Sequence, residues 1–560
     1  MPNLASILYN HHLADPNGPA IYLQRAGMPD LEITRRHLQA WAGAYAGIYE
    51  SHGIHTGEVV ILILEHGEPL VYAFFGAALG GQIPSILPFL TEKLSPERYR
   101  ADLASLIALT QPAAIVTSPE FEQEVRQVVT PGCSVRAVIN TGEITAPADE
   151  KAQPAGLRAE PEAIALLQHS SGTTGLQKGV ALSHAALLNQ LEAYRQAIQL
   201  VPQDVVVSWL PLYHDMGLIA GFLLPILSGI PLVLMSPFDW VRAPQRLFQA
   251  VSQYKGTLSW LPNFAYHFCA QKIRPRHMEG LNLSTWRAVI NCSEPVRSES
   301  HEIFFEAFQQ YGLTHGALHT CYAMAENVFG VTQSTLQTGP VVELVDEQAF
   351  FHDHLVKPAQ DGSPHISLMS SGRAISGTEI RILDEHGRAL AERYVGEIAL
   401  RSNSMLTGYY HRPDITAKAF HAGWYLTGDF GYISNGELFV TGRKKDLIIV
   451  GGKNIYPHDV EALVNQVPGV HKGRAVAFGV FDASQGTETV VVVAEVDDNN
   501  AEDKKIISDQ IRQVVAKNTA VVLQAVHLVP PRWLVKTSSG KIARSANREK
   551  YLAETGQNLH

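Results

Sequence analysis

Short apolar runs that suit buried strands alternate with helical segments through most of this 560-residue chain. The run "EVVILILEH" at 58–66 predicts a buried strand, and "LVYAFFGAALGG" at 70–81 predicts a helix that ends at glycine. Similar strand-like runs are "AAIVTS", "DVVVSWLP", "RAVINCS" and "TEIRILD". Strands that alternate with helices favour an α/β fold with mostly parallel sheets. The chain is also too long for one ordinary domain.

The pattern changes towards the C-terminus. The stretches "GEIALRSNSMLTGYY" (396–410) and "GELFVTGRKKDLIIVGG" (436–452) predict strands joined by glycine turns, as in a small antiparallel module. Beyond them, helical and strand-like segments predict a compact α+β unit. We therefore predict a large N-terminal domain over 1–444, made of α/β subdomains and the antiparallel β module, and a smaller, mobile α+β C-terminal domain over 445–560. The polar segment 333–362 is long for a structureless loop, so local structure or a function is expected there.

Charge and cysteine usage exclude several classes of protein. The net charge is -10 at pH 7, whereas a nucleic-acid-binding protein usually has a basic balance or patch. The cysteines are far apart and form no CxxC pair, which argues against a disulfide scaffold or a zinc site and fits a reducing cytoplasm. They are Cys133, Cys269, Cys292 and Cys321.

One segment has the composition of a membrane span. Residues 216–235 carry no charge over about the length that crosses a bilayer. Pro225 and the turn at 228–231 divide this segment into a short buried helix and a strand, so we expect no membrane span. The N-terminus also lacks the basic start and long apolar run of a signal peptide. The sequence therefore predicts a cytoplasmic protein.

The loop "SSGTTGLQKG" at 170–179 is too polar and too flexible for a core element. It follows a strand-like run, and a helical pattern begins at Ser183. Glycines let backbone N–H groups turn towards an anion, hydroxyls add donors and Lys178 adds a positive charge, so the loop favours a polyphosphate ligand over a plain surface turn. A Walker A P-loop is excluded because it has lysine directly after its second glycine, whereas two residues separate Gly175 from Lys178.

This loop resembles the phosphate-binding signature of the adenylate-forming superfamily. That superfamily includes acyl-CoA synthetases, fatty-acyl-AMP ligases, luciferases and peptide-synthetase adenylation domains. Gln177 stands where the commonest form of the signature has proline. The resemblance implies that the phosphates of ATP are bound by Ser170, Ser171, Gly172, Thr173, Thr174, Gly175 and Lys178.

Two further motifs of the superfamily follow in order. "SWLPLYHDMGLIAG" (208–221) would place His214 near the reacting carboxylate, although a lone histidine is more often a core residue. "TCYAMAEN" (320–327) resembles the motif in which an aromatic ring, here Tyr322, stacks on adenine and Glu326 helps to hold Mg²⁺. Together with ATP oxygens, Thr173 or Thr174 would complete the magnesium site.

The remaining motifs extend the resemblance over essentially the whole chain. "INCSEPV" (290–296) resembles the turn that borders adenine, and "YLTGDFG" (425–431) the ribose motif, in which Asp429 would accept hydrogen bonds from two hydroxyls. "KTSSGKIARS" (536–545) resembles the catalytic-lysine motif and assigns that role to Lys541. The resemblance also implies that Ser293, Glu294 and Pro295 border adenine, that Arg443 contacts ribose and that Lys445 is the hinge residue.

Several segments resemble fatty-acyl-AMP ligases in particular, among them 236–270 and 536–552. That family activates medium- or long-chain fatty acids and delivers them to acyl carrier proteins or polyketide synthases, and the apolar stretch 260–270 would line its acyl pocket. Residues 333–372 lie where these ligases carry an insertion thought to hinder the domain swing that CoA requires. The resemblance thus favours a carrier-protein thiol as acceptor, with CoA as the alternative.

A rival hypothesis is a non-catalytic homologue that binds nucleotide for regulation. The retained Lys541, Glu326 and Asp429 argue against it. The run "FHDHL" at 351–355 could indicate a metal site, but a solvated loop is the better interpretation.

Overall fold

The computed structural model describes residues 2–90, 96–148, 153–170, 178–450, 453–482, 487–497, 501–519, 521–537 and 541–556. The chain forms two compact units. The first comprises Met1–Val341, Ser370–Glu379 and Arg401–Tyr425, and the second comprises Val342–Met369, Ile380–Leu400 and Leu426–His560. The domain boundary expected at residue 444 falls within the second unit and stays a prediction.

The first unit contains a seven-stranded sheet whose middle strands are parallel. The run that predicted a buried strand forms Val59–Ile63, and all five of its side chains are buried, as expected for a strand covered on both faces. Only the pairings at one edge of the sheet, those made by the strand Lys178–Ser183, are antiparallel. In spatial order the strands are Gly408–Tyr409, Lys178–Ser183, Ile164–Ser170, Ile83–Ile86, Val59–Ile63, Ala114–Thr117 and Ala137–Asn140.

A nine-stranded sheet is the second large sheet of the first unit. Its central strands are parallel, and antiparallel strands flank them at both edges. This arrangement confirms the α/β prediction with mostly parallel sheets. In spatial order the strands are Arg373–Ala374, Gly330–Gln333, Leu318–Ala323, Ala288–Cys292, Leu258–Pro262, Val206–Ser208, Leu232–Met235, Pro19–Gln24 and Leu31–Thr34.

Helices connect these strands, and their ends follow local sequence signals. The predicted helix at 70–81 is Glu68–Gly80, and Gly81 closes it in the left-handed conformation at φ +79°. The α-helices of the first unit are Leu4–Ala14, Arg35–Ser51, Glu68–Gly80, Pro96–Thr110, Pro119–Val128, His184–Ala197, Leu224–Ser228, Pro237–Arg242, Gln245–Tyr254, Asn263–Lys272, Ser298–Phe308 and Pro413–Lys418.

The uncharged segment 216–235 is a helix pair followed by a buried strand. Met216–Leu223 is a π-helix, which the sequence did not predict, and Leu224–Ser228 and Leu232–Met235 follow it. Two glycines permit the close approach of this segment. A Cβ on Gly217 would lie 2.1 Å from the Pro211 carbonyl oxygen, and a Cβ on Gly221 would lie 2.5 Å from the Ser208 hydroxyl oxygen. Over the described ranges, no helix combines the length and apolar character that a bilayer crossing requires.

The second unit combines a β module with a compact α+β part. The strands of its β module are Thr378–Leu383, Gly396–Ser402, Trp424–Ser434 and Glu437–Arg443, and the last two of them pair antiparallel. The first residues of Trp424–Ser434 belong to the first unit, where they pair with Phe420–His421. Two hairpins, Val342–Asp346 with His365–Met369 and Ile448–Val450 with Lys453–Ile455, accompany it. The α+β part contains strands Val470–Asp482, Thr487–Val496 and Leu523–Val529, and the helices of the unit are Glu347–Asp353, Pro457–Val464, Ala501–Asn518 and Arg544–Thr555.

Candidate active site

Two paired strands hold the ends of the predicted phosphate loop. The strands Ile164–Ser170 and Lys178–Ser183 are antiparallel, and Ser170 is the register partner of Lys178. The helix His184–Ala197 follows at once, because the Ser183 hydroxyl accepts a hydrogen bond from the Ala186 N–H at 3.1 Å. The loop residues Ser171, Gly172, Thr173, Thr174 and Gly175 lie outside the described residues, so their roles stay predictions.

A buried histidine precedes this loop. His169 lies on the strand that ends at Ser170, and its Nε2 is 2.6 Å from the Ser85 hydroxyl on the neighbouring strand. Burial lowers the pKa of His169 to about 4. The ring is therefore neutral at physiological pH and adds no charge beside the phosphate loop.

Lys178, Tyr409 and Glu326 form a connected cluster beyond the loop. The Lys178 Nζ lies 4.9 Å from the centroid of the Tyr409 ring, within cation–π range. The Tyr409 hydroxyl donates a 2.8 Å hydrogen bond to Glu326 Oε1 and lies 3.0 Å from the Tyr425 hydroxyl. Two residues that the resemblance assigned separately, Lys178 and Glu326, are thus brought together by a tyrosine that sequence analysis missed.

Opposing influences act on the pKa of Glu326. Burial raises it, the Tyr409 and backbone hydrogen bonds lower it, the charge of Asp215 raises it and that of Lys178 lowers it, with a net rise. A cation placed beside a carboxyl group whose pKa is raised stabilises its charged form. Carboxylate oxygen is a ligand type that Mg²⁺ prefers.

A strained turn follows Glu326 directly. Val328 has φ 61° and ψ -53°, and the Phe329 N–H donates to the Asn327 carbonyl at 2.6 Å across it, which makes a γ-turn with positive φ. Such a backbone is unusual for a β-branched residue and costs on the order of 1–3 kcal/mol. The Asn327 side chain braces the turn by donating to the Gly330 carbonyl at 2.7 Å. Strain of this kind is typical of functional segments.

The motifs around His214 and Ser293 meet in the structure. Ser293 follows the strand Ala288–Cys292, has φ +70°, and its hydroxyl lies 3.6 Å from the Met216 sulfur. His214 is half-buried two residues before Met216, with its ring 4.8 Å from that of Tyr213. The Asp215 carboxylate accepts a hydrogen bond from the Met216 N–H at 2.8 Å.

The other residues predicted near adenine lie on or beside neighbouring strands. Tyr322 is half-buried on Leu318–Ala323, which pairs in parallel with Ala288–Cys292. Glu294 Oε2 accepts a hydrogen bond from the Phe264 N–H at 2.9 Å, and Pro295 is exposed. Ser293 and Tyr322 therefore lie at the carboxyl ends of two neighbouring parallel strands. The carboxyl ends of the strands are where α/β sheets bind ligands.

The apolar stretch 260–270 contains both core residues and a partly exposed face. Trp260 is buried and its indole N–H donates to the Tyr194 hydroxyl at 2.8 Å. Phe264 keeps 41% of its surface exposed and approaches a stacked pair, Trp209 and Trp240, whose ring centroids are 3.5 Å apart. Trp260 is thus a core residue, whereas Phe264 is available to an apolar ligand.

Asp429 and Arg443 come together in the second unit. They are register partners on the antiparallel strands Trp424–Ser434 and Glu437–Arg443, and Arg443 Nε lies 3.5 Å from Asp429 Oδ1. Arg443 is half-exposed, whereas the Asp429 side chain is largely buried. The pairing is consistent with the shared ribose role that the resemblance implies.

One partly buried arginine links the segments of Lys541 and Lys445. Arg544 donates to Asp446 and to Glu461, each at 2.7 Å, and to the Ala477 carbonyl at 2.9 Å. Asp446 directly follows Lys445, and Arg544 lies three residues after Lys541. Within the second unit, therefore, the predicted catalytic-lysine segment is tied to the predicted hinge segment.

The polar segment at 333–362 has structure, as expected from its length. The hairpin Val342–Asp346 with His365–Met369 and the helix Glu347–Asp353 contribute Val345, Phe350 and Val356 to a core that contains Tyr432, Phe439 and Tyr456. Glu343 accepts a 2.7 Å hydrogen bond from the Ser434 hydroxyl. In the described part of the chain, no three His, Cys, Asp or Glu side chains cluster as a metal site would require. This statement does not cover the side chains at 351 and 352 of "FHDHL", which lie outside the described residues.

Comparisons with known proteins agree with these motifs. A family model described as "AMP-binding enzyme" matches residues 13–410. The chain is 29% identical to the medium-chain-fatty-acid–[acyl-carrier-protein] ligase JamA of Moorena producens over 98% of this chain and 94% of that protein. It is 30% identical to a putative acyl-CoA synthetase of Caulobacter vibrioides, over 90% and 87% of the two chains. A structure from a study of fatty acyl-adenylate ligases of E. coli and L. pneumophila superposes with a TM-score of 0.92 at 29% identity, covering 100% and 99%.

Proposed function

The chain belongs to the AMP-binding enzyme family, and on that premise we propose that it is an ATP-dependent ligase that joins a fatty acid to a carrier-protein thiol. The acid is a medium- or long-chain carboxylic acid, and the acceptor is the phosphopantetheine thiol of an acyl carrier protein or of a carrier domain in a polyketide or peptide synthase. JamA, which is similar over nearly the whole chain, bears the name of such a ligase. We place the reaction in the cytoplasm, where ATP is available and thiols stay reduced.

The reaction has two steps. A carboxylate oxygen of the acid attacks the α-phosphorus of ATP, a new P–O bond forms, and the bond to the β-phosphate breaks to release pyrophosphate. The acyl-AMP then reacts at its carbonyl carbon with the thiol, whose proton is lost as AMP leaves. Because both reactants of the first step are anions, its main requirement is preorganised positive charge.

The single observation that carries this proposal is the Lys178–Tyr409–Glu326 cluster beyond the phosphate loop. It places a cation and a carboxylate with a raised pKa on one connected set of side chains. Magnesium fits this carboxylate, which with Thr173 or Thr174 would hold it; bound there, it would neutralise phosphate charge. Lys541, with its compact charge on a long stem, is proposed to contact the carboxylate and the α-phosphate. Asp429 and Arg443 would bind ribose, with Lys445 as the pivot between domains 1–444 and 445–560.

The packing of the inserted segment supports a carrier protein as the acceptor. Phe350 and Tyr456 share one core, with ring centroids 6.0 Å apart, so the insertion is fixed to a residue beyond the predicted hinge. Contacts of this kind would resist the swing that CoA requires. The name of the C. vibrioides relative favours the alternative, in which CoA is the acceptor.

Two assays test the proposal in sequence. Hydroxylamine trapping over a panel of fatty acids should yield hydroxamates that depend on ATP; no hydroxamate with any acid would support a non-catalytic nucleotide-binding role. The purified enzyme is then offered CoA or a holo acyl carrier protein. Efficient acyl-CoA formation in preference to the acylated carrier would overturn the proposed acceptor.

The role of Lys541 has its own test. Lys541→Ala should nearly abolish fatty-acid-dependent pyrophosphate exchange while largely sparing thiolation of pre-made acyl-AMP, because only the first step opposes two anions. Lys517→Ala, which removes an exposed lysine of the same unit, is the control. Equal loss of both steps in Lys541→Ala would contradict this assignment.

A further inference from the structure

One fully buried asparagine joins the two ends of the segment that carries Lys541. Asn547 lies near the start of the helix Arg544–Thr555, with 0% of its surface exposed. Its Oδ1 accepts a hydrogen bond from the Val535 N–H at 2.8 Å. Its Nδ2 donates to the Val535 carbonyl at 2.9 Å and to the Ala543 carbonyl at 2.8 Å. The side-chain amide therefore bonds backbone groups that precede Lys541 and that follow it.

The backbone of Lys541 belongs to a hairpin whose base lies at this asparagine. Lys536 and Ile542 form an antiparallel bridge. Next to that bridge, the Thr537 N–H donates to the Lys541 carbonyl at 2.7 Å. The hydrogen bonds of Asn547 close the opposite end of the bridge, so they hold together the two strands from which the hairpin extends.

The same hairpin is also fixed to the sheet of the second unit. The Leu534 N–H donates to Glu495 Oε1 at 2.9 Å, and Glu495 is 1% exposed. Glu495 lies on Thr487–Val496, the middle strand of the three-stranded sheet. Glu495 thus attaches the hairpin to the sheet, and Asn547 attaches it to the helix that follows. Together these contacts give the backbone of Lys541 a defined place within the unit.

Neither local structure nor packing explains an asparagine at position 547. Asparagine is a weak helix former, and a buried amide is costly unless it is hydrogen-bonded, whereas an apolar side chain would fill the same space without that requirement. Hydrogen bonds add control over distance and angle. The charge of Lys541 lies at the end of a flexible four-carbon stem, so its reach depends on where its backbone is held. A misplacement of about 1 Å can cost about 10²-fold in rate.

We propose that Asn547 is a positioning residue for Lys541, which it holds where the ammonium group reaches the carboxylate and the α-phosphate. The inference rests on the proposed role of Lys541 in acyl activation. Asn547 is fully buried and acts through the hairpin rather than on a substrate. Its contribution should therefore be confined to the formation of acyl-AMP, the step that needs the lysine.

Asn547→Ala in the full-length protein tests this inference. Fatty-acid-dependent pyrophosphate exchange should fall roughly ten- to hundredfold because the lysine is misplaced, whereas thiolation of pre-made acyl-AMP should stay close to the wild-type rate. Asn547→Ser, which keeps a hydroxyl and leaves a smaller gap, should show a weaker loss of the same kind. Asn465→Ala is the matched control. It also removes two hydrogen bonds to backbone in the second unit, to the Glu461 carbonyl at 2.7 Å and from the Gly473 N–H at 2.8 Å, and should leave the ratio of the two rates unchanged.

Amide hydrogen exchange measured by mass spectrometry follows the hairpin itself. Residues 534–543 should exchange faster in Asn547→Ala than in the wild type, because the base of the hairpin opens more often. The strand Thr487–Val496 should keep its wild-type protection, which shows that the unit remains folded. Asn465→Ala should leave the exchange of 534–543 unchanged.

The inference is overturned by any of several results. Equal loss of both reaction steps in Asn547→Ala and in Asn547→Ser, or the same selective loss in Asn465→Ala, would make the asparagine a residue of general stability. Unchanged pyrophosphate exchange despite faster hydrogen exchange would show that the lysine needs no such support. Failure of the premise is recognised separately: Lys541→Ala would then leave pyrophosphate exchange intact, and the role of Asn547 would fall with that of the lysine.

Discussion

At the scale of single residues, the Tyr409 hydrogen bond counteracts the effect of burial on the pKa of Glu326. Burial raises the pKa of Glu326 and the Tyr409 hydrogen bond lowers it. Tyr409→Phe removes that hydrogen bond, so the pKa of Glu326 should rise further. Because the proposed role requires the charged form, activity is lost as pH falls through this pKa. We expect the acidic limb of the pH profile for pyrophosphate exchange to move to higher pH. At the pH where the wild type has half its maximal rate on this limb, the variant should be roughly tenfold or more slower.

Tyr410→Phe is the matched control, since it removes the hydroxyl of the next residue, which makes no bond to Glu326 in the described structure. Its pH profile should coincide with that of the wild type. An unchanged acidic limb in Tyr409→Phe would show that the hydrogen bond does not set the titration of Glu326.

Candidate residues whose types the proposed chemistry requires could be named from the sequence, but the side chains that contact them could not. Lys178, Glu326 and Asp429 carry charges beside characteristic turns, so short motifs indicated them. Tyr409 lies 83 residues from Glu326, and neither periodicity nor spacing encodes that contact. The motif "LTGYY" showed a turn next to a strand but gave no sign of which side chain the tyrosine would meet.

At the scale of elements, Arg544 holds three segments of the second unit together. It pairs with Asp446 and Glu461, and its own side chain is 21% exposed. Arg544→Gln leaves two carboxylates without their cation. Because these pairs are only partly buried, the cost should lie below the roughly 3–5 kcal/mol of breaking a fully buried pair. We expect a lower free energy of unfolding for the second unit, measured by urea denaturation. Pyrophosphate exchange should also fall, because Lys541 lies on the segment that becomes loose.

Arg532→Gln provides the comparison, because this arginine is exposed in the same unit and makes no ion pair in the described structure. Its unfolding curve should match the wild type. If Arg544→Gln were as stable as this control, the three segments would not depend on the arginine.

The inserted segment makes a second prediction at this scale. Phe350 is 2% exposed in the core that contains Tyr456, so Phe350→Ala should leave a cavity that costs about 3–5 kcal/mol. If this packing restricts CoA, the variant should form more acyl-CoA relative to acylated carrier protein than the wild type does. Phe481→Ala, which truncates a phenylalanine that is 52% exposed, should leave that ratio unchanged. A constant ratio in Phe350→Ala would separate the packing from acceptor choice.

Elements with strong local signals were predicted well, and those set by tertiary contacts were not. Val59–Ile63 and Glu68–Gly80 follow from apolar runs that end in turn residues. The π-helix Met216–Leu223 is different, because its glycines serve contacts with residues elsewhere, such as Pro211 and Ser208. The length of 333–362 indicated local structure, but the strand Val342–Asp346 pairs with His365–Met369, whose partner residues are 19 to 27 positions away, so this register could not be read from periodicity.

At the scale of the whole molecule, buried neutral histidines make the fold sensitive to acid. Burial lowers the pKa to about 4 for His169, His184 and His319 and to about 3 for His301, from an ordinary value near 6.5. As pH falls below 6.5, these histidines bind protons in the unfolded chain but stay neutral in the folded chain. The unfolding free energy should therefore decrease from about pH 6.5 towards pH 4, by on the order of 3 kcal/mol for each such histidine.

His184→Gln isolates one of these contributions. The ring Nδ1 of His184 lies 3.3 Å from the Leu4 N–H, from which it accepts a hydrogen bond. A glutamine oxygen can accept the same hydrogen bond, but glutamine does not titrate. Denaturation measured from pH 7 down to pH 4.5 should then show a shallower loss of stability than the wild type, whatever the stability at neutral pH. His37→Gln, at an exposed position, is the control and should keep the wild-type slope of unfolding free energy against pH. If His184→Gln also kept that slope, acid would act on the fold through other groups.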